Sequence, residues 1–271
     1  MPRIRVDGVH LFYEIAGEGE PLVLVHGGWG DHTSWRLVVA EFARSHQAVV
    51  YDRRGHSQSE GSARADVIRA HEEDLGALIE QLGIAPARVV GSSIGGAIAL
   101  RLGGARPELF QSICAHEPPS LEVLRGDPET EALYEDQVTK LRAVEQQLAA
   151  GDAEDGARLF FETIAFGPGA WEQLPEQSRR TFVANAPMFL AEVRDPEQLR
   201  IDLQGLARFR QPTLLTNGDT SKTEFPSVVA KLTQVMPRAE RRTIVGAGHV
   251  PQLTHPADYV RITLEFLSRL P

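Results

Sequence analysis

Cysteine is nearly missing from this chain; Cys114 is the only one. No intramolecular disulfide can form, and no cysteine-based zinc cluster either. Long apolar runs are missing too. The longest, such as residues 21–25, reach strand length and fall far short of the roughly 20 residues of a membrane helix. Positive charge is the minority, with 28 Lys and Arg against 37 Asp and Glu and a formal net charge of −9. An acidic surface repels phosphate backbones, which argues against nucleic-acid and membrane partners. The opening stretch MPRIRVDGVH has no apolar segment behind its arginines, so a cytoplasmic location is expected.

What remains is ordinary globular composition. The 271 residues are 42% hydrophobic and 24% charged, enough for a large core without metal or disulfide staples. Strands are expected at residues 4–6 and 9–15, joined by an Asp7-Gly8 hairpin turn, and at 21–25, 48–51, 88–90 and 110–115. Helices are expected between them at 35–44, 65–82 and 94–102. Strand–helix alternation resumes near the end, with strands at 213–216 and 241–245 and helices at 226–236 and 256–270. This rhythm implies an α/β protein with a mostly parallel eight-stranded sheet and helices on both faces.

The rhythm breaks after Glu117-Pro118-Pro119. Up to residue 209 the pattern is helical only, at 129–150, 153–165, 175–193 and 196–206, punctuated by Gly151, Gly167-Pro168-Gly169 and Asp195-Pro196. Residues 1–117 and 210–271 thus read as the core, and 118–209 as an inserted helical cap or lid.

Gly91-Ser92-Ser93-Ile94-Gly95 lies between an expected strand and helix and matches G-x-S-x-G, the nucleophile elbow. The turn is so sharp that side chains two positions either side of the nucleophile would clash. Ser93 is flanked at those positions by Gly91 and Gly95, whereas Ser92 would be flanked by Val90 and Ile94. Ser93 is the candidate nucleophile; the plainer alternative is an N-cap in a Gly/Ser-rich turn. Acyl transfer also needs backbone N–H groups aimed at a developing oxyanion. Ile94, after the nucleophile, offers one; the loop His26-Gly27-Gly28-Trp29-Gly30 offers another at Gly28, with Trp29 the next choice.

Taken in order, His26-Gly27 after the third strand, Asp52-Arg53-Arg54-Gly55-His56-Ser57 after the fourth, and then the elbow resemble the α/β-hydrolase fold family along nearly the whole chain. The resemblance implies that Asp52 and Arg54 brace their loop. It also marks a departure, since Ser57 stands where that turn usually has a second glycine. Of nine histidines, His249 follows the last strand in Gly246-Ala247-Gly248-His249, where the family places its base. His255 reads instead as part of a helix start, His26 as a loop residue, and His116 as a neighbour of the candidate acid.

The family's usual acid position, three residues beyond Gly218, holds Ser221, which cannot carry charge. A second placement, resembling that of haloalkane dehalogenases, follows the sixth strand and points to Glu117, 24 residues after Ser93. Asp219 is the alternative, although Asn217-Gly218-Asp219 also suits a simple turn. A serine at 93 argues against dehalogenase and epoxide-hydrolase chemistry, which needs a carboxylate nucleophile. No phosphate-binding loop, dinucleotide fingerprint or H-E-x-x-H appears, so neither a cofactor nor a metal is implied.

The expectation is a serine hydrolase cleaving a small ester, lactone or related activated carbonyl through an acyl-enzyme. A C–C bond hydrolase, lyase or acyltransferase on the same scaffold, or a non-catalytic ligand receptor, remains as the alternative. The partner is a small-molecule substrate, and a homodimer is left open. The aromatics Phe160, Phe161, Phe166, Trp171, Phe182 and Phe189 read mainly as packing within the helical segment.

Overall fold

Short β-branched runs bounded by turn residues become eight strands of one sheet in the computed structural model, which describes residues 2–270. They are β1 (Arg3–Val6), β2 (Val9–Ala16), β3 (Glu20–Val25), β4 (His46–Tyr51), β5 (Ala87–Ser92), β6 (Phe110–His116), β7 (Thr213–Gly218) and β8 (Ala239–Ile244). Their spatial order is β1-β2-β4-β3-β5-β6-β7-β8. The pairs β1–β2 and β2–β4 are antiparallel and every later pair is parallel. The first hairpin turns on Asp7 and Gly8, both at positive φ (43° and 80°), the conformation a tight two-residue hairpin demands.

Alternation along the central strands splits the core in two. Val23, Val25 and Val89 face one side, where helices α1 (Val67–Gln81) and α2 (Ile94–Ala105) cover them with Ile68, Leu75 and Ile98. Leu22, Leu24 and Val90 face the other side, covered by Trp35, Phe42, Tyr259 and Phe266. A sheet buried on both faces needs this near-continuous apolar character, and β5 and β7 are buried throughout.

Between β6 and β7 run α3 (Glu131–Ala149), α4 (Ala153–Phe160), a π turn (Phe161–Ala165), α5 (Glu176–Arg194) and α6 (Leu203–Arg208). Buried Val144, Phe161 and Phe189 of these elements, and Trp171 in the helical turn Ala170–Gln173 between them, belong to the same apolar cluster as the first sheet face. After β7 comes α7 (Glu224–Val235), and after β8 comes α8 (Pro256–Leu267).

Two expected helices form differently. Over residues 35–44 there is only a 3₁₀ turn (His32–Trp35) and one helical turn (Val39–Phe42). Asp31 starts the segment early, its Oδ1 accepting from the Thr33 N–H at 2.8 Å. Over 196–206 the helix begins only at Leu203. Asp195 spends both carboxylate oxygens on the backbone, accepting from the N–H of Ile68 and of Glu197, and Asp202 then caps the delayed helix.

The parallel strands all present their C-terminal ends to one edge. The loops after β3, β5, β6, β7 and β8 therefore converge there, which is where open α/β sheets hold their ligands.

Candidate active site

Ser93 sits at φ 54°, ψ −127°, a strained conformation imposed where β5 passes directly into α2. The strain is enforced by close backbone approach. A Cβ on Gly91 would come within 2.5 Å of the Gly95 carbonyl oxygen, and one on Gly95 within 2.2 Å of the Val25 carbonyl oxygen. Both positions must be glycine. Ser93 rather than Ser92 is the residue so displayed, and Ser92 Oγ instead meets Gln252 Nε2 at 3.4 Å.

The structure brings Ser93, His249 and Glu117 together. Ser93 Oγ lies 3.0 Å from His249 Nε2, and His249 Nδ1 lies 2.8 Å from Glu117 Oε2. An ionised carboxylate can only accept, so Nδ1 carries the proton and Nε2 is left to accept from the serine hydroxyl. Glu117, itself at φ 44°, is fixed by two backbone bonds. Its N–H donates to Thr216 O, and its Oε1 accepts from the Gly218 N–H at 2.9 Å. Burial opposes its charge, but neighbouring His116 and the His249 hydrogen bond prevail and lower its pKa to about 2. Phe225 stacks on the His249 ring with centroids 4.3 Å apart, holding the imidazole in plane.

The other candidates lie elsewhere. Asp219 is exposed and its Oδ1 accepts from the Gly246 N–H at 2.7 Å, bracing the loop that carries His249. His116 is buried against Thr216 Oγ1 and Gly248 O, and burial lowers its pKa to about 4. His26 Nε2 accepts from the Arg53 N–H. Asp52 accepts from the N–H groups of His32 and Gln58, and Arg54 clasps Asp74 through two nitrogens, so both brace the β4 loop. Ser57, in place of glycine, still adopts φ 43°, held by Asn185 Oδ1 on its N–H and by its own Oγ donating to Asp31.

Facing Ser93 is a cavity of about 100 Å³. Among the described residues, the N–H groups of Gly28, Trp29 and Ile94 have no hydrogen-bond acceptor, and all three residues line this cavity. Four of the six aromatics assigned to packing by their spacing, Phe160, Phe161, Phe182 and Phe189, line it as well. They do both at once. Trp29 stacks on Phe189 at 4.1 Å and Phe161 on Phe182 at 4.6 Å, so the wall of the cavity is itself a packed cluster.

Sequence reasoning missed the residues of α5 that grip the glycine-rich loop. Asn185 Nδ2 donates to Trp29 O and Gly30 O, and Glu192 pairs with Arg53, which donates in turn to Gly27 O. An Asn and a Glu in a polar helix carry no local signal of such a role.

The ligand atoms of His56, His71 and Glu192 converge, as do those of Asp31, His32 and Asp52. The first group faces the Arg53 guanidinium, which contacts both Glu192 and His56, and a second cation there would be repelled. In the second, His32 Nδ1 meets Asp52 Oδ1 at 2.6 Å and Asp31 accepts from Thr33 and Ser57. Their ligand atoms are already engaged in these hydrogen bonds.

A sequence profile described as "alpha/beta hydrolase fold" matches residues 20–256. The chain belongs to the α/β-hydrolase fold family, and it is a hydrolase. It is similar to an uncharacterised hydrolase of Bacillus subtilis, 36% identical over 126 residues, a match spanning 46% of each chain. It is also 27% identical to a pimeloyl-[acyl-carrier protein] methyl ester esterase of Nitrosospira multiformis, over 95% of this chain and 98% of that one. Among solved structures, the enol-lactonase of Burkholderia xenovorans superimposes with a TM-score of 0.83 at 20% identity, covering 98% of this chain and all of the other. At that identity the likeness is one of fold. No helix among the described residues is long and apolar enough to cross a membrane.

Proposed function

We propose that the chain is a serine hydrolase that cleaves a small ester or lactone through an acyl-enzyme, with Ser93 as nucleophile, His249 as general base and acid, and Glu117 as the orienting carboxylate. The observation that carries this reading is the continuous hydrogen-bonded chain from Ser93 Oγ through both nitrogens of His249 to Glu117 Oε2. His249 Nε2 takes the hydroxyl proton as Ser93 Oγ attacks the carbonyl carbon, and Glu117 stabilises the resulting imidazolium. The N–H groups of Ile94 and Gly28, with Trp29 beside them, receive the oxyanion; each such donor supplies about 3–4 kcal/mol of transition-state stabilisation. The imidazolium then protonates the departing alkoxide, and a water activated by His249 releases the acid. Residues 118–209 act in this reading as a cap whose aromatic wall excludes water and selects compact, apolar substrates.

The esterase among the relatives agrees with this chemistry. Covalent labelling by a fluorophosphonate, together with a burst of alcohol release from a short-chain ester, tests it. Both are expected in the native protein and neither in Ser93→Ala; labelling that survives the substitution overturns the assignment.

A further inference from the structure

One carboxylate oxygen in the cavity wall has no partner. Glu192 on α5 is fully buried and lines the cavity, and its Oε1 accepts from Arg53 Nη1 and meets His71 Nε2 at 3.1 Å. Its Oε2 is buried with no hydrogen bond at all. Arg53 Nε and His71 Nδ1 in the same cluster are also unpaired, but neither of those residues lines the cavity. Burial opposes charge on Glu192, yet Arg53 and His71 outweigh it and lower the pKa to about 2, so Oε2 is an anionic acceptor at neutral pH. Leaving such an atom unmet is costly, more so than for a neutral group.

Oε2 also lies beside the proposed oxyanion donor. A Cβ built on Gly28 would meet Glu192 Oε2 at 3.1 Å and Phe189 Cδ2 at 3.0 Å. Gly28, Ser93 and Glu192 line one cavity, so the acyl group of a substrate whose carbonyl oxygen rests on the Gly28 N–H is held against the wall that contains Glu192. A bare hydrocarbon there leaves the acceptor unmet, and a second carboxylate is repelled by it.

We infer that Glu192 Oε2 forms a specificity subsite for a hydrogen-bond donor, a hydroxyl or amide N–H, on the carbon adjacent to the scissile carbonyl. This rests on the serine-hydrolase reading and narrows its substrates to 2-hydroxy or 2-acylamino esters and lactones. Arg53 neutralises the carboxylate from behind, so the subsite binds a neutral donor without setting a free negative charge against the oxyanion.

The test compares kcat/KM for methyl butyrate, methyl 2-hydroxybutyrate and methyl 2-methoxybutyrate, with methyl 2-acetamidobutyrate and its N-methyl derivative as the amide arm. The native enzyme is expected to prefer the hydroxy or the N–H ester over its methylated counterpart by roughly 10- to 100-fold, the range for a hydrogen bond to a charged group. The arm that shows the larger ratio identifies the donor. In Glu192→Gln the side-chain oxygen stays with Arg53 and the amide NH₂ takes the place of Oε2, presenting a donor to a donor. The preference should vanish or invert there. Should that variant not fold, the ratios of the native enzyme still decide. Hydrolysis of methyl butyrate with no donor preference, or a preference that survives Glu192→Gln, overturns the subsite alone. Failure to cleave any ester, with no labelling of Ser93, overturns the hydrolase reading and the subsite with it.

Discussion

Asn185 reaches across 155 positions to donate its Nδ2–H to the carbonyl oxygen of Gly30, at 3.0 Å. The same nitrogen serves Trp29 O at 3.1 Å, and Oδ1 accepts from the Ser57 N–H at 2.9 Å. One buried amide thus ties α5 to the glycine-rich loop and to the strained turn after β4. Removing it should leave three backbone groups unmet, each costing about 1–3 kcal/mol if it stays dry. Asn185→Ala is expected to lower the melting temperature and reduce kcat more than it raises KM. Asn185→Asp should be worse than Ala, because it sets a carboxylate oxygen against two carbonyl oxygens. Thermal unfolding and steady-state kinetics on both variants check the order.

Glu117 and Asp219 follow neighbouring strands, and only Glu117 touches His249. Glu117→Gln is expected to lower kcat by about 10³–10⁴-fold, the scale seen when the orienting carboxylate of a triad becomes an amide. Asp219→Asn keeps an oxygen for the Gly246 N–H and should change turnover by less than tenfold. A collapse in the second variant alone would reassign the acid.

The glycines around the site differ in what stands next to them. At Gly95 a methyl group meets backbone oxygens at 2.2 and 2.6 Å, which cannot retreat, and Gly95→Ala should yield no folded protein. At Gly28 it meets the Phe189 ring and Glu192 Oε2 at 3.0–3.1 Å, side-chain atoms that can yield. Gly28→Ala should fold with a loss of about 1–3 kcal/mol from overpacking and reduced turnover. Denaturant titration of the soluble fraction separates the two cases.

Stability should fall on the acid side. Burial, with Arg53 close by, lowers the pKa of His26, His56 and His71, and burial lowers that of His116; His56 falls to about 3 and His116 to about 4. Between those values and the ordinary 6.5 the unfolded chain binds protons that the folded chain refuses. Stability therefore drops as pH falls through this window, by up to about 1.4 kcal/mol per pH unit for each such histidine. Glu117 and Glu192, lowered to about 2, add a further loss from about pH 4.5 downwards. His32 works the other way: Asp52 overcomes its burial and raises its pKa, so its contribution is full below 6.5 and fades as pH climbs past its folded value. Melting temperatures measured from pH 8 to pH 4 should decline steeply below 6.5; a flat profile would contradict the neutral buried histidines.

Local stereochemistry is what the amino-acid order specifies here. Gly91 helps single out Ser93 over Ser92 because the clash it avoids, with the Gly95 carbonyl, lies within five residues of chain, whereas the Val25 carbonyl that forbids a side chain at Gly95 comes from a distant strand. The eight strands are legible because period and turn residues are local signals. Helix 196–206 misread for the opposite reason: Asp195 is claimed by the N–H of Ile68, far away in sequence. Of the two carboxylates after β6 and β7, the sequence favours Glu117 over Asp219 by placement alone, since spacing cannot say which way a side chain turns. Glu117 is aimed at His249 by the Thr216 carbonyl and the Gly218 N–H, contacts that exist only once β6 lies beside β7. Asn185 and Glu192 had no signature because their partners are main-chain atoms and a guanidinium brought near by the packing of α5 over the sheet edge. Contacts between distant segments leave no periodic trace in a chain, so composition and spacing are silent about them until the helices are in place.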